Sequence, residues 1–339
     1  MSDVPIQCSS NRRRALLLGH FSTVGDIQCL DLVERRVRQA GMPYDVAAFE
    51  SEVRSAIKGS IKPEIADPDS YSHLVIICGP YWESFLAHRA FDIARYRHCK
   101  RIGINITMID PLAQWKPFDV LLERDSEVTA RPDLTFLVET DSVPVVGRCI
   151  IRQQEEYGVR QRHSAVISSI DSIIERRGYP VIDIDTRWPK QCNDGGLGSP
   201  AAVSSLIKRV DVLITNRLHG LVFALRNGVP ALAVDSVAGG DKLTTQARVI
   251  GWPVCLQAEQ ATPEAMDAAL DWCLGDAANN TIRRCQKKAL KLLWNIEAEI
   301  DDALGNVKKR RSASAGKSIN AVLQRARAVL LERGGSRSR

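Results

Sequence analysis

The stretch from Val210 to Lys242, VDVLITNRLHGLVFALRNGVPALAVDSVAGGDK, limits the fold more than any other part of the chain. Val210 to Thr215 is an apolar, β-branched run of strand length. After Asn216, residues Leu218, Leu221, Val222 and Leu225 recur at helical spacing. Gly228 stops that helix and Val229-Pro230 prevents its continuation. A second strand, Ala231 to Val234, follows. Two strands joined through a helix run parallel with a right-handed crossover, which commits this part of the chain to an α/β fold. Arg217 and His219 fall where the first strand hands over to the helix, and in open parallel sheets ligands bind at that edge. The helix N-terminus favours anions, and an arginine adds a planar fork suited to phosphate or carboxylate. Taken singly these residues have ordinary uses. An arginine at a strand end serves a surface ion pair, a histidine packs, and Gly220 lets a helix lie close to a strand. Their joint occurrence on one turn, with Gly239-Gly240-Asp241-Lys242 after the next strand, points to an anion site.

The same alternation runs through the chain. Arg14 to Leu18, Tyr44 to Phe49, His73 to Cys78, Arg101 to Met108 and Val120 to Leu122 read as strands. A helix with Ile27, Leu30, Val33 and Val37 on one face follows the first and closes at Gly41, and Ala87 to Tyr96 reads as another. The turn Gly19 to Asp26 resembles a nucleotide-binding opening without being GxGxxG. Residues 139–146 read as a linker. Beyond them Gly147 to Ile151 is a strand with Arg152 at its carboxyl end. Ser164 is placed to cap a helix whose apolar face is Val166, Ile170, Ile173 and Ile174, ending at Gly178. Val181 to Ile184 is a strand leading to Asp185-Thr186-Arg187-Trp188. Ser199-Pro200 and Thr262-Pro263 open helices, and Asn280 to Leu304 reads as one long helical segment. A chain of 339 residues exceeds most single cores. The expected organisation is two Rossmann-like domains, 1–140 and 147–304, and a basic tail, 305–339.

Charge is uneven. The tail holds ten Lys or Arg against one Glu, about +9, so with a total of +6 the remainder carries about −3. The basic character thus belongs to the tail, and a nucleic-acid-binding body loses its main support. Ile319, Val322, Leu323, Ala326, Val329 and Leu330 form one face of a cationic stretch that follows Lys308-Lys309-Arg310-Arg311. Such a segment can lie on an anionic membrane surface or dock on the body. The nine cysteines are odd in number, lack CxxC spacing and mostly sit in apolar runs. That favours buried thiols in a reducing cytoplasm, with no disulfide framework and no metal site. No apolar run approaches a membrane span, and the short run after Arg12-Arg13-Arg14 is better a first strand than a signal peptide.

The run Thr215-Asn216-Arg217-Leu218-His219-Gly220, with Ala224, Gly228-Val229-Pro230 and Lys242, resembles the polysaccharide pyruvyl transferase family. Gly19 to Asp26, Ser72 to Gly79, Arg124-Asp125-Ser126 and Asp133 to Phe136 are similar to further motifs of that family, so the likeness spans roughly residues 14–300. The opening turn carries extra residues, and Gly79-Pro80-Tyr81-Trp82 stands where the family has a run of glycines. The resemblance implies two facing Rossmann-like domains of the GT-B type. It also implies transfer of a pyruvyl group from phosphoenolpyruvate onto two hydroxyls of one sugar, in a polysaccharide or lipid-linked precursor, as a cyclic ketal. No cofactor and no metal are implied beyond the donor itself. Under that implication Arg217 and Arg152 hold phosphate and carboxylate, and His219 is the acid–base group, since imidazole ordinarily titrates near neutrality. Lys242 steadies the leaving phosphate, and Gly220 lets backbone approach the ligand. Asn216 lines the donor side, in the second domain. Arg124 and Asp26 are candidates on the acceptor side, in the first, where an ion pair is an equal use for Arg124. The rival readings are a glycosyltransferase using a nucleotide sugar and a non-catalytic glycan-binding protein.

Overall fold

The computed structural model describes residues 13–89 and 91–305. The basic tail and its apolar face, and Cys8 and Arg12, lie outside them. The chain divides into two compact units, Met1–Asp141 and Ser142–Arg339.

The first unit is built on β1 (Ala15–Gly19), α1 (Val24–Gln39), β2 (Tyr44–Ala48), α2 (Ser51–Ala56), β3 (His73–Ile77), β4 (Pro80–Tyr81), α3 (Glu83–His88), β5 (Lys100–Ile104), β6 (Thr107–Met108) and β7 (Val120–Leu122). Five strands form one sheet in the order β2-β1-β3-β5-β7, every pair parallel. The central strands are apolar throughout because the sheet is covered on both faces. Period-two alternation sends Leu16, Leu18, Leu74 and Ile76 into one core with Tyr81, Phe85 and Tyr96. It sends Ala15, Leu17, Val75 and Ile77 into the other, against Cys29, Leu30 and Val33 of α1. The helix expected over Ala87 to Tyr96 is instead α3 and a separate 3-10 turn, Ile93–Tyr96. Asp92 starts that turn by accepting from the Ala94 N–H at 2.9 Å.

The second unit comprises β8 (Val146–Cys149), α4 (His163–Arg177), β9 (Val181–Asp183), α5 (Pro200–Ile207), β10 (Val212–Thr215), α6 (Leu218–Arg226), β11 (Ala231–Asp235), α7 (Lys242–Ile250), β12 (Cys255–Gln257), α8 (Pro263–Leu274), α9 (Asp276–Leu292) and α10 (Ile296–Ala303). Its sheet runs β12-β11-β10-β8-β9, again all parallel. Numbered within each unit, both sheets have the order 2-1-3-4-5. That is a doubly wound order, with a switch point between its first and third strands. Two helix readings need correction. Residue Ser164 does not cap α4, which starts at His163 with Arg162 in the cap position and no side-chain cap. The segment expected as one helix to Leu304 breaks between α9 and α10. Ser199 and Thr262 do cap α5 and α8, accepting from the N–H groups of Ala202 and Ala265. Among the described residues, no helix is long and apolar enough to cross a membrane.

Candidate functional site

In the second unit the switch point lies between β8 and β10, so the segments leaving these strands meet at the sheet's carboxyl edge. Asn216 joins them. Its Oδ1 accepts from the Ile151 N–H at 2.7 Å, and its Nδ2 donates to the Ile151 carbonyl at 2.9 Å and to Ser236 Oγ at 3.0 Å. Asn216 is buried, and its amide is engaged by Ile151 and Ser236. It fixes the residues that precede Arg152 and Arg217, bringing those two arginines out of adjacent strands.

Arg217 occupies the cap position of α6, which has no side-chain cap. Its guanidinium Nη1 bonds Asp185 Oδ1 at 3.0 Å. Asp185 follows β9 and also accepts from the N–H groups of Arg187 and Asp194, at 3.0 Å each, and from Arg187 Nε at 2.8 Å. Burial opposes ionisation of Asp185, yet these N–H groups hold its carboxyl below the usual range. The carboxylate sets the direction of the arginine fork while several of the five guanidinium N–H groups stay available. Arg152 is exposed, and its charge acts on Asp183. Among the described residues its guanidinium has no hydrogen-bond or ion-pair partner.

Gly220 serves close helix–strand packing, the ordinary use of a glycine on this turn. A Cβ there would stand 2.2 Å from Thr215 Oγ1 and 3.1 Å from Cys149 Sγ. The hydroxyl of Thr215 meanwhile donates to the Cys149 carbonyl at 2.6 Å and accepts from the Arg217 N–H at 3.0 Å. The close approach that glycine permits is therefore between α6 and its own sheet, and it seats the helix start that carries Arg217 and His219. His219 is exposed, in the first turn of α6, with its ring stacked on Phe223 at 5.6 Å. Arg226 covers Phe223 at 4.8 Å.

Lys242 opens α7 one strand further along. Its Nζ lies 3.7 Å from Glu156 Oε1 and 5.4 Å from the Tyr157 ring centre, both on the loop after β8. Asp235, buried at the end of β11, holds the turn before Lys242 by accepting from the N–H groups of Val237, Asp241 and Thr244 and from Thr244 Oγ1. His163 sits nearby with only 3% exposure, and neither ring nitrogen has a partner among the described residues. Burial pushes its imidazole below the ordinary value, Asp235 and Glu156 work against that, and Lys242 reinforces it.

The first unit holds the remaining two candidates, and both are engaged locally. Asp26 forms a capping box with Thr23 at the start of α1, accepting from the Thr23 N–H at 3.0 Å. Arg124 donates to Asp133 Oδ2 at 3.2 Å, Thr107 Oγ1 at 2.6 Å and Asp125 Oδ1 at 3.4 Å, and so is ion-paired within its own unit. Sequence reasoning overlooked Asp185, Asp235 and His163. The two aspartates carried a signal, since each ends an expected strand at the ligand-binding edge. His163 carried none, because its burial depends on where α4 begins. Among the described residues no group of three or more His, Cys, Asp or Glu could hold a metal ion.

A doubly wound parallel α/β protein with cations at its carboxyl edge is a broad class. A comparison with protein families narrows it: residues 118–236 match the family described as Polysaccharide pyruvyl transferase. The matched segment covers Arg124, Arg152, His163, Arg217 and His219 and stops short of Lys242. A comparison with curated proteins finds no match. Solved structures give distant likenesses. The UDP-GlcNAc 2-epimerase of Methanocaldococcus jannaschii is 8% identical, with 78% of this chain and 93% of that chain covered and a TM-score of 0.28. A spinosyn forosaminyltransferase is 14% identical over 85% and 100%, with a TM-score of 0.28. A Streptomyces sp. SF2575 glycosyltransferase, complexed with thymidine diphosphate, is 12% identical over 81% and 95%, with a TM-score of 0.28. Likenesses at this level carry no argument about this chain.

Proposed function

We propose that the protein moves a pyruvyl group from phosphoenolpyruvate onto two hydroxyls of a sugar in a polysaccharide or lipid-linked precursor, forming a cyclic ketal. The observation that carries this reading is the family match across the edge where Arg152 and Arg217 leave neighbouring strands. The donor has a phosphate and a carboxylate and so calls for two cations. Arg217, aligned by Asp185 beside an uncapped helix start, takes one anionic group, and Arg152 takes the other. Protonating the vinyl carbon produces an oxocarbenium-like centre and requires an acid; His219, exposed beside Arg217 and steadied by Phe223, takes that role. Lys242 stabilises the departing phosphate. No cofactor enters these steps.

The test is turnover of phosphoenolpyruvate with candidate glycans, together with thermal unfolding. Phosphoenolpyruvate is expected to raise the unfolding temperature, whereas a nucleoside diphosphate is not; the reverse result would favour a nucleotide-sugar glycosyltransferase. Arg152→Ala should raise the KM for phosphoenolpyruvate about 10-fold or more, the equivalent of ~1.5–3 kcal/mol for a charge-assisted hydrogen bond. His219→Ala should lower kcat by about 10²–10⁴-fold. Unchanged turnover in the folded His219 variant would remove it from the acid–base role.

A further inference from the structure

Helices α4 to α9 each bury apolar side chains, whereas α10 buries none among the described residues. All eight of its residues are exposed. A lone helix that short is marginal in water, because nucleation is costly, and helices in proteins hold by packing an apolar face. Such a face exists on α10. Ile296, Ile300 and Leu304 recur every four residues, and Leu293 and Trp294 stand exposed in the turn before it. Trp294 is 71% and Leu304 70% exposed. Clustered apolar exposure of this kind marks an interaction surface.

The surface is also acidic. Residues 295–304 hold Glu297, Glu299, Asp301 and Asp302 and no Lys or Arg. Among the described residues none of these carboxylates forms an ion pair, and Glu299 accepts only from Asn295 Nδ2, at 3.4 Å. Charge restricts what can cover it. A second copy in a two-fold contact would set the same carboxylates against themselves. An anionic membrane surface would repel them.

The fitting partner is apolar on one face and cationic at the margins of that face. Residues 317–333 of the same chain have this pattern in their sequence. At ~3.6 residues per turn, the apolar positions from Ile319 to Leu330 fall on one side, with Arg325 and Arg327 at its two margins. The same spacing puts Glu297 and Glu299 at the two margins of the α10 stripe. The described residues end at Gly305, directly after α10. Residues 306–316 then supply a connection that can extend about 36–40 Å, against ~12 Å for the length of α10, so a return along α10 is within reach. Lys287, Lys288 and Lys291 of α9 oppose the charge of the tail, which favours α10 over α9 as its seat.

We propose that residues 317–333 dock on α10 as an amphipathic helix, apolar face on apolar stripe, with Arg325 and Arg327 beside Glu297 and Glu299. This assigns the basic tail to a surface of its own chain and is independent of the pyruvyl-transfer reading.

The test compares amide hydrogen exchange over residues 290–304 in the full chain and in a chain ending at Gly305. Exchange there should be about 10-fold slower or more in the full chain. A synthetic peptide of residues 317–333 should restore slow exchange to the shorter chain. Within the full chain, Glu297→Arg with Glu299→Arg should remove the protection, as should Arg325→Glu with Arg327→Glu. All four substitutions together should return it, which a non-specific collapse of the tail would not do. Unchanged exchange in α8 checks that each variant is folded. Equal exchange over residues 290–304 in the two chains would overturn the docking. So would protection that appears only with phosphatidylglycerol vesicles, which gives the surface to a membrane. Protection that the shorter chain keeps while sedimenting as a dimer would give it to a second copy, and overturns the docking as well. Protection that is lost in both reversed pairs and not regained in their combination would overturn the arginine–carboxylate contacts.

Discussion

At Gly220 the space for one methyl group decides where a helix can sit. With Thr215 Oγ1 2.2 Å from any Cβ, Gly220→Ala must push α6 away from β10. Overpacking of this kind costs about 1–3 kcal/mol, read as a lower urea midpoint, and the shift of α6 should weaken phosphoenolpyruvate protection in the same variant. Carboxylates set the neighbouring geometry in a pH-dependent way. In the first unit burial works against ionisation of Asp133, but hydrogen bonds from Thr135, Asn105 and Arg124 hold its carboxyl down at about 2. A carboxyl with a folded-state value below its unfolded one adds stability above the unfolded value, and that stability disappears as pH falls through the folded one. Its contribution is thus present above about pH 4 and is lost towards about pH 2. Melting temperatures of the parent should fall across that window more steeply than those of Asp133→Asn. The arginines at strand ends were legible in the sequence as cations at a ligand edge. Their partners were not, because Asp185 reaches Arg217 only after β9 has been placed on the far side of β8.

At the scale of elements, local signals succeeded where the deciding contact was local. Ser199 followed by proline is sufficient to start α5, since the serine oxygen reaches an N–H three residues on, at 3.1 Å. Ser164 looks equivalent in sequence but lies inside α4, whose start is set by the Arg162 N–H donating to the Ser236 carbonyl at 2.8 Å, across 74 residues by subtraction of the two numbers. Thermal unfolding should separate them: Ser199→Ala costs ~1 kcal/mol, and Ser164→Ala, at an exposed position, changes little. The strands were readable because period-two apolar runs report burial on two faces. Leu17→Ala in β1 removes a fully buried side chain and should destabilise the protein by about 2–5 kcal/mol. The helix misread over Ala87 to Tyr96 shows the opposite case, a helix-forming composition interrupted by the aspartate-capped turn at Asp92.

Over the whole molecule, charge and topology separate cleanly. Removing residues 305–339 takes about +9 from a total of +6 and leaves about −3, so the truncated protein should focus at acidic rather than basic pH and leave a cation exchanger early, while phosphoenolpyruvate turnover survives. The sequence by itself determined the alternation of strands and helices, their parallel direction and the cationic residues at strand ends, because these depend on periods of two and 3.6 residues and on connection length. Only the tertiary structure decided that both units share one strand order, that Asn216 ties β8 to β10 and β11, and that His20 meets Glu50. Those facts follow from which strands become neighbours after long crossovers. That outcome is set by the burial of whole faces, and no short window of sequence contains it.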